Sequence, residues 1–114
     1  MNILIVDDEE RIRNVYVKIL EREGFHMLSA ATANDANDLL VRNPVDLILL
    51  DINMVDVDGS ILYEVAQTFH KNTKVIVSSV YPLEDQKMLI KGAADYYDKS
   101  DSIKVLVQKV NAIM

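Results

Sequence analysis

The sequence predicts an α/β fold: a (βα)5 three-layer sandwich with one parallel five-stranded sheet between two layers of helices. Two observations carry that prediction. Short extended runs alternate strictly with amphipathic helical patterns along the chain, and such alternation favours right-handed crossovers between parallel strands. Residues 3–6, 47–50 and 75–77 contain no polar side chain, as expected of strands covered on both faces. Residues 1–114 read as a single domain, without linker, repeat or low-complexity segment, and long enough for one hydrophobic core.

The elements follow in order. Residues 2–6 form an apolar strand closed by Asp7 and Asp8. Ile12, Val15, Tyr16, Ile19 and Leu20 then fall on one helical face, with Arg11, Arg13, Lys18, Glu21 and Arg22 on the other and Gly24 as the stop. A second, more mixed strand covers residues 25–30. Thr32 caps a short helix, with Asp35 three residues on and Ala33, Ala36, Leu39 and Leu40 inward; Asn43-Pro44 ends it. The third strand runs into Asp51, and the loop behind it, ending Asp58-Gly59, has the composition of a turn.

A third helix carries Ile61, Leu62, Val65, Ala66 and Phe69 on one face. The fourth strand, residues 74–79, ends on the hydroxyls of Ser78 and Ser79. A fourth helix over residues 83–91 has a weaker stripe in Met88, Leu89 and Ile90 and stops at Gly92. Asp95-Tyr96-Tyr97-Asp98 is a short polar strand followed by Lys99. The last helix places Ile103, Leu106, Val107 and Val110 at helical spacing. Val105 falls off that stripe; a singly exposed valine is its plain reading, and a partner contact its alternative.

Strand polarity chooses the sheet order. The first, third and fourth strands are continuously apolar and belong at the centre, whereas the second and fifth are mixed and belong at the edges. The flavodoxin-like order 2-1-3-4-5 satisfies this, with its switch point between strands one and three. Ligands in such sheets bind beyond the carboxyl ends of the strands at that point. Asp7, Asp8 and Asp51 would gather there, with Ser79 and Lys99 at the ends of the next two strands.

Composition narrows the function. Eighteen acidic against twelve basic residues give a formal charge of −6, which argues against nucleic-acid binding by this domain. The absence of cysteine removes thiol nucleophiles and thiolate metal sites. No apolar run reaches membrane-spanning length, and the opening run is too short for a signal peptide, so a cytoplasmic location is expected.

Taken singly, each rim residue has an ordinary reading. Asp7-Asp8 could cap the first helix, Ser79 could bond backbone, and Lys99 could be a solvated lysine. Their convergence on one end of one sheet favours a site. Clustered carboxylates repel, and a hard divalent cation relieves that repulsion; an all-oxygen site suits magnesium. Magnesium would let a phosphate dianion approach, Lys99 and Ser79 would add donors to its oxygens, and an ionised Asp51 could attack as a nucleophile without losing a proton. Competing motifs are missing. There is no G-x-x-x-x-G-K-[ST] or G-x-G-x-x-G. The loop after the first strand is acidic, which does not suit a flavodoxin's phosphate. An EF-hand reading fails at Val55, Asp56 and Leu62.

The residues Ile3-Leu4-Ile5-Val6-Asp7-Asp8-Glu9, Asp46-Leu47-Ile48-Leu49-Leu50-Asp51-Ile52-Asn53-Met54, Asp58-Gly59, Val75-Ile76-Val77-Ser78-Ser79 and Gly92-Ala93-Ala94-Asp95-Tyr96-Tyr97-Asp98-Lys99 stand in an order and spacing that resembles the receiver domain of bacterial two-component response regulators (CheY-like). The resemblance covers essentially the whole chain. It implies a phosphorelay switch: Asp51 accepts a phosphoryl group from a sensor histidine kinase or phosphotransfer protein. Asp8, Asp51 and the Asn53 backbone carbonyl would bind Mg2+, with Asp7 acting through water. Ser79 matches the hydroxyl that reports phosphorylation, Lys99 the family's lysine and Tyr96 the aromatic that swings inward. Asn53 and Tyr81 match the positions that tune dephosphorylation.

A domain of this kind is not an enzyme in the ordinary sense, beyond weak autophosphotransfer and autodephosphorylation. It would signal through the face formed by its fourth helix, fifth strand and fifth helix, to an output domain, a downstream protein or a second copy in a homodimer. Three departures from the family pattern bear on rate and lifetime. Val55 stands where proline is usual, Val80 where alanine is usual, and Ser100 where a proline commonly follows the lysine. A non-proline cis bond costs about 3 kcal/mol, so the Lys99–Ser100 peptide is expected to be trans. The rival readings are an aspartate-nucleophile phosphatase of haloacid-dehalogenase type, a non-phosphorylated binding module and a flavin carrier. The first needs an aspartate where Asn53 stands, and the second would be expected to lack Asp8, Asp51 or Lys99.

Overall fold

Strand register is what brings the rim residues together. The computed structural model describes residues 1–53 and 59–113. Strands β1 (Asn2–Val6), β2 (His26–Ala30), β3 (Leu47–Asp51), β4 (Lys74–Ser79) and β5 (Asp95–Asp98) form one parallel sheet in the order β2-β1-β3-β4-β5. Helices α1 (Glu10–Arg22), α2 (Ala33–Arg42), α3 (Gly59–Phe69), α4 (Leu83–Leu89) and α5 (Ile103–Ile113) alternate with them. The mixed strands lie at the edges and β3, buried along its whole length, lies at the centre, as their polarity predicts.

Alternation along the strands divides the core into two layers. Leu4, Val6, Ile48, Leu50, Val75 and Val77 face Ala36 and Leu40 of α2, Leu62 and Ala66 of α3, and Ile90 beyond α4. Ile3, Ile5, Leu47, Leu49 and Ile76 face Tyr16 and Leu20 of α1 and Leu106 and Val110 of α5. Each fully buried aliphatic side chain contributes about 2 kcal/mol. Local signals act as expected at the helix ends. The Thr32 hydroxyl accepts from the Asp35 N–H at 3.1 Å. Gly24 takes a φ of 95°, the left-handed stop that leaves the Phe25 N–H donating to the Leu20 carbonyl at 3.2 Å.

Several inward assignments are corrected. Val15 is exposed and Val17 packs instead; the two lie on opposite margins of the stripe centred on Tyr16, and the core covers only one margin. In α3, Leu62 and Ala66 are buried, whereas Ile61 is exposed on the margin of the stripe and Phe69 on the last residue of the helix. The fourth helix ends at Leu89, and Met88 and Leu89 are exposed. Three successive residues turn through some 200° and cannot share a face; the inward positions are Leu83, Gln86 and Ile90. Val105 is half-buried against the α1/α5 core layer and is not an exposed contact. The Lys99–Ser100 peptide is trans. Val55, Asp56 and Asp58 lie outside the described residues.

Candidate functional site

Val6 pairs with Leu50 in register, so Asp7, one residue past β1, stands beside Asp51, the last residue of β3. Strand alternation sends both toward the α1/α5 layer, in line with Ile5 and Leu49. Asp7 is 2% and Asp51 4% exposed; Asp8 is exposed. Carboxylate oxygens of Asp7, Asp8 and Asp51 lie within 4.8 Å of one another.

Lys99 reaches this cluster from the end of β5. Its backbone N–H donates to the Ser79 carbonyl at 2.8 Å, and its Nζ lies 2.8 Å from Asp7 Oδ2 and 3.2 Å from Asp51 Oδ2. Burial alone would lower the Lys99 pKa; the hydrogen bond to Asp7 and the charges of Asp51 and Asp7 outweigh it and raise the pKa above its ordinary value. Asp51 moves the other way from a paired carboxylate. Burial raises its pKa, reinforced by the Asp7 charge, against the lowering effects of the Asn53 N–H and Lys99. The Asn53 N–H donates to Asp51 Oδ1 at 2.9 Å, so each oxygen of Asp51 is held by a different group. Asp7 is itself fixed: its Oδ1 accepts from the Glu9 N–H at 2.9 Å and its carbonyl from Arg13 Nη1 at 2.7 Å.

Ser79 is fully buried at the end of β4. Its Oγ accepts from Asn53 Nδ2 at 3.0 Å and from the Tyr81 N–H at 3.1 Å, which leaves its proton to give. Tyr96 is 9% exposed and turned inward; its hydroxyl donates to the Ile90 carbonyl at 2.6 Å and accepts from the Ala93 N–H at 3.3 Å. The Asn53, Tyr81 and Val80 side chains are exposed around the mouth. Ser100, in the place of a proline, donates from both N–H and Oγ to Asp98 Oδ1, at 2.9 and 2.7 Å. These bonds pull the Asp98 pKa down and restrain the loop that carries Lys99.

Three hard oxygen donors at this spacing, two of them out of water, fit a small divalent cation better than any soft metal. Residues 3–111 match the response regulator receiver domain family. The chain belongs to that family. The receiver domain is 35% identical over 116 residues to the transcriptional regulatory protein SrrA of Staphylococcus aureus, a match covering 98% of this chain and 47% of that protein. The chain thus spans about half the length of that relative. Among solved structures it is similar to response regulator protein TrrA of Thermotoga maritima in complex with Mg(2+)-BeF, with a TM-score of 0.90, 27% identity and 99% and 98% of the two chains covered. It is also similar to a CheY-like receiver domain protein of Methanospirillum hungatei JF-1, with a TM-score of 0.87, 32% identity and coverage of 97% and 90%. The acidic pocket of Asp7, Asp8 and Asp51 is placed like the phosphorylation site of such domains.

Sequence reasoning passed over two residues that shape the receiver's site. Arg13 reads as a solvated face of α1, yet it holds the Asp7 carbonyl. Gln86 is fully buried, and its amide reaches three backbone carbonyls around Ser79. The signal was present: Leu83, Gln86 and Ile90 are spaced i, i+3 and i+7, an inward stripe with an amide at its centre.

Proposed function

We propose that this receiver domain is a phosphorelay switch in which Asp51 is the phosphoacceptor. The observation that carries the reading is the state of Asp51: a buried carboxylate at a strand end, gripped at Oδ1 by the Asn53 N–H and faced at Oδ2 by Lys99. A free Asp51 oxygen lone pair attacks the phosphorus of a phosphohistidine. The P–O bond forms as the P–N bond breaks, and the electron pair leaves with the imidazole of a sensor histidine kinase or phosphotransfer protein. Lys99, held between two carboxylates, can transfer a donor to the new phosphoryl oxygens, and Ser79 has its hydroxyl proton to offer.

The donor set suits Mg2+ held by Asp8, Asp51 and the Asn53 carbonyl, with Asp7 engaged through water. The Mg(2+)-BeF complex of the similar TrrA supports that choice. Bound there, the ion would screen the carboxylates and neutralise charge on the phosphoryl oxygens. Asn53 and Tyr81, exposed beside the mouth, are placed to tune water access and so the dephosphorylation rate. Residues 1–114 act as one domain in the cytoplasm, with weak autophosphotransfer from small donors. Ser79 and Tyr96 convey the change to the α4-β5-α5 face, which engages an output domain, a downstream protein or a second copy; the net charge of −6 argues against nucleic acid as this domain's own ligand.

The test is to incubate the protein with magnesium and acetyl phosphate and determine its intact mass. One base-labile phosphoryl group is expected on the wild type and none on Asp51→Asn. No addition from acetyl phosphate or from a phosphorylated cognate kinase would overturn the reading.

A further inference from the structure

We infer that Gln86 is a positioning residue for phosphoryl transfer, tying the segment that carries Ser79 to the strand that leads to Lys99. The inference rests on the phosphoacceptor reading of Asp51 and deepens it. Gln86 Nε2 lies 2.8 Å from the Tyr81 carbonyl, 2.9 Å from the Tyr97 carbonyl and 3.5 Å from the Ser79 carbonyl. Its two N–H groups therefore serve the loop after β4 and the middle of β5, with Ser79 at the long edge of the same fork. The Ser79 carbonyl also accepts the Lys99 N–H at 2.8 Å, and the Ser79 Oγ accepts the Tyr81 N–H at 3.1 Å. One amide thus holds the backbone just after Ser79 and just before Lys99, the two residues whose polar groups would meet the phosphoryl oxygens.

The other half of the side chain shows that packing does not explain the glutamine. Its position is inward, between Leu83 and Ile90, and fully buried, where an apolar residue of the same length would fill the space. Gln86 Oε1 is buried without a hydrogen-bond partner among the described residues. An orphaned acceptor is unfavourable, so the amide is retained against a local penalty that only its donor side offsets. A purely structural role predicts that replacing it changes stability and nothing else. A positioning role predicts a change in the chemistry at a distance, with the acidic cluster untouched.

Gln86→Met and Gln86→Leu keep the inward position filled and remove both the fork and the orphan, so both should fold. With acetyl phosphate and saturating magnesium, phosphoryl uptake by each should fall about tenfold; a misplacement of one ångström at reacting atoms can cost more. Magnesium affinity of the unphosphorylated protein should stay within about twofold of wild type, because the carboxylates are not touched. Hydrogen exchange at the Tyr81 and Lys99 amides, followed by NMR in the unphosphorylated protein, should accelerate about tenfold or more. Unchanged uptake by both variants, beside normal wild-type uptake, overturns the role of Gln86 alone. A parallel loss of magnesium affinity overturns it too, as a general disturbance of the site. A wild type that takes up no phosphoryl group overturns the Asp51 reading itself.

Discussion

Asp51→Asn should make the protein more stable in the absence of a divalent cation. Asp51 lies within 4.8 Å of carboxylate oxygens on Asp7 and Asp8, and 3.2 Å from Lys99 Nζ. At an effective dielectric of about 20, like charges 4.8 Å apart repel by roughly 3.5 kcal/mol, and opposite charges 3.2 Å apart attract by roughly 5 kcal/mol. Repulsion from buried Asp7 offsets about two-thirds of the attraction; the exposed Asp8 adds a smaller, screened repulsion, and the desolvation penalty of burying the Asp51 charge outweighs what remains together with the Asn53 N–H. The net is an ionised Asp51 that destabilises the fold. The amide should therefore raise stability by about 1–2 kcal/mol at pH 7 with chelator present, or some 4–10 °C in melting temperature.

The sign with pH follows from the raised Asp51 pKa. Folded protein binds this proton more tightly than unfolded chain, so the wild type loses stability as pH rises from the ordinary value of 3.8 through the raised one. The variant lacks that loss, so the two should converge as pH falls below that window and separate above it. Added magnesium should also narrow the gap by stabilising the wild type. The assay is denaturant unfolding from pH 4 to 8, with chelator or with magnesium. An Asp51→Asn protein less stable than wild type at pH 7 in chelator, or a gap independent of pH, would refute the reasoning.

Two further outcomes are expected. Lys99→Met leaves Asp7 and Asp51 facing each other without their buried cation and should cost about 3 kcal/mol in chelator, with part restored by magnesium; the wild type should lose stability as pH rises past 10.5 through the raised Lys99 value. Tyr96→Phe removes the inward hydroxyl that donates to the Ile90 carbonyl at 2.6 Å and should cost about 1 kcal/mol, read as a lower midpoint in urea with an unchanged slope.

The sheet was legible because its order depends on polarity summed over whole strands. Residues 47–50 are apolar on both faces while Ser29 and Asp95 interrupt the edge strands, and no single assignment could upset that. Asp7, Asp8 and Asp51 were legible for the same reason, since a strand end is a fixed point on the rim. The margins of helices were not. Val15 and Val17 lie at equal angles from Tyr16, and only the tertiary arrangement decides which is covered. Gln86 escaped because inward faces were sought among apolar residues alone, although Leu83, Gln86 and Ile90 share one stripe; the three carbonyls that receive its amide come from the β4 end, the loop after it and β5, which only the fold brings together.

The two-residue period of the strands also places the acidic cluster and Tyr96 on opposite faces of the sheet. Asp7 and Asp51 project with Ile5 and Leu49 toward the α1/α5 layer, whereas Tyr96 belongs to the opposite layer with Val77 and Ile90. Successive residues of β4 therefore serve different faces: Ser78 lies beside Asp51 in register, while Ser79 follows Val77. In the proposed switch, a phosphoryl group added on one face would be sensed on the other only through atoms that touch both. Ser79 has them. Its hydroxyl meets Asn53, whose N–H holds Asp51, and its carbonyl joins Lys99 from one side and Gln86 from the other. In the proposed switch, Ser79→Ala removes that hydroxyl without overfilling a fully buried position, so it should leave the acids in place and weaken the coupling to α4.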